Sequence, residues 1–139
     1  METITVLAFA VTGALLGSMV FFAAIVAPAA FQLLADDVRP RYLAGIFPRY
    51  YLWGIIVAAL AAAAAFPVNT GAAVMLALIA LAFIGVRQLL LPPINRARDG
   101  RAAGDPTAAV RFGRLHRISV FINLAQMIAL IAVFVALAG

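Results

Sequence analysis

The sequence predicts an all-α integral membrane protein, a four-helix bundle, from two observations. Of its 139 residues 67% are hydrophobic and 11% charged, well outside the usage of chains that fold in water. The apolar residues gather in four runs, about 4–26, 50–66, 71–91 and 118–137. Each falls within the ~17–25 residues that cross about 30 Å of hydrocarbon. The whole chain, 1–139, has room for a single transmembrane domain.

The first run follows Met1-Glu2, which lacks the positive charge of a signal peptide, and it is longer than a signal core, so it is expected to be retained. It contains Gly13 and Gly17 at GxxxG spacing, a face for close helix packing. The second run opens on Tyr50, Tyr51 and Trp53, rings expected at headgroup level, with Pro48 punctuating the chain before it. Pro67-Val68-Asn69-Thr70 leaves room only for a tight hairpin to the third run. Arg87 sits about one turn from the end of that third run, close enough to snorkel to the interface. Asp105-Pro106 is an N-cap followed by proline at the first helical position, so the fourth helix is expected to begin well before its apolar part. Asp36-Asp37 with Pro40 gives a weaker start of the same kind. Short amphipathic helices are therefore expected in both long loops.

The chain has ten arginines, no lysine and a net charge of +5. Arg39, Arg41 and Arg49 lie between runs one and two, and Arg96, Arg98, Arg101, Arg111, Arg114 and Arg117 between runs three and four. None lies on the other side. Arginine-rich loops resist translocation, so both long loops are expected in the cytoplasm and both termini outside, in a cell (inner) membrane. Arg96, Arg98, Arg101, Arg111, Arg114 and Arg117 are then expected on anionic lipid headgroups. A nucleic-acid partner is excluded, because no residues remain to build a basic soluble module.

Two hairpins of one orientation suggest a duplication. Gly45-Ile46-Phe47-Pro48-Arg49 lies over Gly113-Arg114-Leu115-His116-Arg117, and Ala27-Pro28-Ala29 ends run one much as Leu91-Pro92-Pro93 ends run three. Such a repeat implies a pseudo-two-fold axis along the membrane normal.

Chemistry is sparse. There is no cysteine, and the five acids lie in loops or at the terminus without metal-ligand spacing, so no metal site and no catalytic group is assigned. The most informative feature is on the fourth helix, where His116, Ser119, Asn123 and Gln126 fall within an arc of about 80°. Arg111, Arg114 and Arg117 project on the opposite side. The stripe either hydrogen-bonds neighbouring helices as packing glue or lines a cavity that contacts a ligand. His116, the only histidine, is a candidate haem ligand or proton-transfer group, the other axial ligand being either the same histidine of a second copy in a dimer or a thioether of Met19, Met75 or Met127.

Four segments together carry a family resemblance: Val26-Ala27-Pro28-Ala29-Ala30-Phe31, Phe47-Pro48-Arg49-Tyr50-Tyr51, the run from Leu91 to Asp99, and the run from Phe112 to Asn123. They resemble the domain-of-unknown-function family of transmembrane protein 205-like four-helix membrane proteins. The resemblance implies the same four-helix architecture and directs attention to Pro28, Phe47, Pro48, Arg49, Tyr50, Pro93, Asn95 and Asp99 beside His116, Ser119 and Asn123. A more distant similarity is to four-helix membrane proteins of protoporphyrinogen oxidation and copper resistance, whose additional histidines this sequence lacks.

The function expected from all this is a binding or accessory module that docks a lipid, a small molecule or a larger membrane complex through its cytoplasmic rim, alone or as a homo-oligomer. One alternative is a haem- or quinone-linked membrane oxidoreductase using His116. Another is an oligomeric exporter of small molecules or metal drugs.

Overall fold

The computed structural model describes residues 2–139, and no strand occurs among them. Four helices account for nearly all of it: α1 (Thr3–Leu33), α2 (Arg39–Ala65), α3 (Thr70–Ala102) and α4 (Pro106–Ala138). Short turns reverse the chain between each pair. α1 packs on α2 and α4, and α3 packs on the same two, so the helices form an up-and-down ring. All four are long and apolar enough to span a bilayer, and Leu7, Phe21, Leu60, Leu81, Phe121 and Val135 stand exposed around the outside. The protein is a multi-pass membrane protein.

The helices are longer than the apolar runs, and every added turn lies at the arginine end. At 27–33 residues they reach about 40–50 Å. The separate loop helices expected from the sequence are instead continuations of the membrane helices. Asp105 caps α4 as expected, accepting from the Thr107 N–H at 2.9 Å. Just before it, Gly104 adopts φ +89° and ends α3, with its N–H donating to the Arg101 carbonyl and that of Asp105 to Gly100. At the far end Asn69 caps α3 through the Ala72 N–H and donates its amide to the Ala136 carbonyl.

Three prolines expected to end or punctuate helices do not. α1 and α3 each widen into a π turn, Phe22–Val26 and Val86–Leu90, closed by N–H groups of Ala27 and Leu91 donating to Phe22 and Val86. One residue later in each comes a proline, Pro28 and Pro92. Proline supplies no N–H and crowds the carbonyl four residues back, and a turn of larger radius relieves that crowding without breaking the helix. The two π turns stand at the same place relative to Pro28 and Pro92. Pro48 lies inside α2. There the Arg49 guanidinium folds back to donate to the Gly45 carbonyl at 2.7 Å, and Arg87 donates to the Pro48 carbonyl at 3.3 Å. Two carbonyls beside the proline thus each take a side-chain donor. Arg87 is tied to α2 instead of snorkelling freely.

The tyrosines of α2 also differ from expectation. Tyr50 and Tyr51 are buried in the core with Phe22 and Phe83, and only Trp53 faces outward, its indole N–H donating to Ser18 Oγ at 3.0 Å. Where α2 meets α3, Gly54 allows the Phe83 ring to approach so closely that an added Cβ would lie 2.7 Å from it. Of the GxxxG pair, Gly13 packs near Phe134 of α4, while Gly17 faces open space.

Candidate functional site

A groove of about 370 Å³ runs between α1 and α4 toward the arginine end. Its floor is Phe47 and Tyr51 of α2. On α1, Ala23 and Ala27 stand one turn apart and their small side chains leave the space, with Pro28 and Phe31 beyond them. On α4 the lining alternates between His116, Ser119 and Asn123 and the apolar Val120, Leu124 and Met127. Val120 and Leu124 are about half exposed, so the groove opens sideways, toward lipid.

The polar groups have different amounts of freedom. Asn123 accepts a 2.7 Å hydrogen bond from the Tyr50 hydroxyl through Oδ1, and no protein acceptor holds its amide NH₂. Ser119 donates to the His116 carbonyl of its own helix at 2.7 Å, and its oxygen can still accept. The His116 ring stacks on Phe112 at 5.6 Å with an 8° tilt and meets the edge of Phe31 at 6.5 Å. One stacked and one edge contact orient the imidazole, whose nitrogens serve as donor and acceptor. Behind the floor, Tyr50 stacks on Phe22 at 4.0 Å.

Gln126 does not join them. It is buried on the α3 side and donates to the Ile79 carbonyl at 3.2 Å, so this member of the stripe is interhelical glue. Pro48 and Arg49 also lie away from the groove, the first offering its carbonyl to Arg87 and the second exposed on its own helix. Asn95 accepts from Arg98 at 2.8 Å, outside the groove. Phe47 lines the groove, and Tyr50 supports it from behind.

The arginines expected on headgroups divide as well. Arg96, Arg111, Arg114 and Arg117 are exposed. Arg98 is not at the surface. It is only 4% exposed, with its guanidinium between the rings of Phe47 and Phe112 at 5.9 and 5.7 Å. Arg101 covers the Phe112 ring at 4.0 Å. Phe112 thus has His116 on one side and two guanidinium groups nearby.

A haem axial pair does not assemble within one chain. His116 and Met127 share the groove, but eleven residues along one helix separate them by about 16 Å, beyond the joint reach of an imidazole and a thioether on one iron. Met19 is fully buried in the core, and Met75 belongs to the opposite end of α3.

The groove lining that sequence reasoning missed comes from all three helices: Phe22, Ala23, Ala27 and Phe31 of α1, Tyr51 of α2, and Val120 and Leu124 of α4, with Met127 expected only as a haem partner. Ala23 and Ala27 at four-residue spacing are a legible signal, since paired small residues either admit a neighbouring helix or leave a gap.

Fold and groove together define a four-helix membrane protein with a cleft open to the bilayer. Residues 10–103 match the model of a family described as a domain of unknown function, DUF4149, and the chain belongs to that family. The matched residues cover α2, most of α1 and α3 through Ala102, whereas α4, which supplies the polar side of the groove, lies beyond them. No curated protein and no solved structure matches the chain.

Proposed function

We propose that the protein is a membrane-embedded binding module whose α1–α4 groove takes the apolar part of an amphipathic molecule directly from the bilayer. The observation that carries this reading is the composition of the groove: apolar walls, a lateral opening between α1 and α4, and hydrogen-bonding groups of His116, Ser119 and Asn123 at one side. Ligand sites in proteins are mostly apolar with a few placed polar groups, and this cleft has that make-up. The arginine end is the cytoplasmic end in this reading, as the ten-to-none distribution of arginine favours. A reporter active only in the cytoplasm, fused after Gly139, is then silent.

The test is mass spectrometry of what copurifies with the full chain from mild detergent. Wild type retains a lipid-like molecule or a prenylated quinone. Ala27→Phe, which fills the groove from α1, and Asn123→Ala, which removes its free amide, both lose it while remaining monodisperse. Equal retention by wild type and both variants would sink the proposal, and a haem absorption band in the purified protein would replace it with the oxidoreductase reading.

A further inference from the structure

Arg98 is a buried cation without a carboxylate. Among the described residues one ion pair is formed, between Arg39 and Asp36 at 3.0 Å, and it does not include Arg98. One guanidinium nitrogen of Arg98 donates to Asn95, while its Nε is buried and has no partner. Burying a charge in this way is costly unless something pairs with it. Arg101, three residues on, shares the Phe112 ring with it, so two like charges are held side by side by an aromatic surface.

The two arginines border a hollow of about 150 Å³ between the α1–α2 turn and the last turns of α3, walled by Asp36, Arg39, Pro40, Leu43 and Ala102. A water molecule occupies about 30 Å³ of liquid, so this space holds several waters or one tetrahedral oxyanion. Arg39 is already spent on the turn, donating to the Ala30 and Leu34 carbonyls and pairing with Asp36. The available donors are therefore those of Arg98 and Arg101. The Asp36 carboxylate at the mouth is 94% exposed and opposes an anion.

We infer that this hollow is a phosphate-binding site, in which Arg98 and Arg101 together hold a phosphate group, either free or as a phospholipid headgroup. Two guanidinium forks matched to one tetrahedral oxyanion are the usual means of recognising phosphate. The site is discrete and saturable, unlike the diffuse attraction of exposed arginines to a charged bilayer. It does not depend on the α1–α4 groove. Phe47 separates the two, lining the groove while Arg98 lies over its ring.

The experiment titrates the full chain in two arms. In detergent the probe is inorganic phosphate at constant ionic strength, with chloride as control. In nanodiscs of phosphatidylcholine the probe is added phosphatidate, followed by lipid counting. Saturable binding of one phosphate per chain in either arm supports the site, and the arm in which it occurs identifies the source. Because Arg101 is exposed, Arg101→Ala folds, and it weakens binding roughly tenfold or more, the equivalent of one charge-assisted hydrogen bond. Asp36→Asn tightens binding by removing the opposing carboxylate. Absence of saturable binding in both arms overturns the inference, as does binding that Arg101→Ala leaves unchanged or Asp36→Asn abolishes.

Discussion

The Tyr50 hydroxyl donates to Asn123 Oδ1 across 2.7 Å and joins α2 to α4 directly behind the groove. The bond orients the amide, fixing its oxygen inward and leaving its NH₂ for a ligand. Tyr50→Phe should therefore cost only about 0.6–2 kcal/mol of stability, the usual worth of an interhelical hydrogen bond in a membrane. It should nevertheless weaken ligand retention, because the amide is free to turn over. Unfolding in mixed micelles measures the first, copurification the second. A stability loss with full retention would show that orientation of Asn123 is unimportant.

Gly54 should not tolerate even a methyl group. The Phe83 ring lies 2.7 Å from where a Cβ would be, and that ring is fully buried among the tyrosines of α2. Gly54→Ala is expected to cost about 1–3 kcal/mol by overpacking. Adding Phe83→Leu to the same chain should recover part of the loss, since it removes the clashing atoms. A stable single variant would mean that α2 and α3 can move apart at no cost.

The fold was legible where a signal was local. Asp105-Pro106 announced the start of α4, and the four apolar runs announced the four helices long enough to span. The periodicity of α4 put His116, Ser119 and Asn123 on one face, and the structure places all three in one groove. What was not legible depended on partners distant in sequence. Pro28, Pro48 and Pro92 each carry a helix-ending signal, yet the helices continue, with a π turn before Pro28 and Pro92 and with Pro48 inside α2. α1 is apolar all round, so hydropathy does not say that Ala23 and Ala27 face α4. Tyr50 and Tyr51 resemble interfacial anchors until Phe22 and Phe83 are seen to cover them. Arg98 has the composition of a headgroup contact, and its burial comes from Phe47 and Phe112, about fifty residues before and fourteen after it.

Thr12 is fully buried, and its hydroxyl has no hydrogen-bond partner. A lone polar atom in an apolar core is a standing cost, and valine has the same shape without it. Thr12→Val should leave the fold intact and raise stability by about 1 kcal/mol, seen as a higher unfolding midpoint. A marked fall would instead indicate that the hydroxyl acquires a partner in the membrane.

Gln126 and Asn123 lie one turn apart on α4 but face different neighbours, and this provides the sharpest division between packing and binding. The Gln126 amide donates to the Ile79 carbonyl in a buried contact with α3. Gln126→Leu fills similar volume and removes only that bond, so it is expected to cost about 0.6–2 kcal/mol and to leave ligand retention unchanged. Asn123→Ala should differ in the readout that matters, with retention lost, at a stability cost at least that of Tyr50→Phe, because it removes the same hydrogen bond and leaves the buried Tyr50 hydroxyl without a partner. In the double variant Tyr50→Phe/Asn123→Ala the stability costs should add to less than their sum, since the shared bond is lost only once. If Gln126→Leu lost the ligand and Asn123→Ala kept it, the binding face of α4 would be the one toward α3.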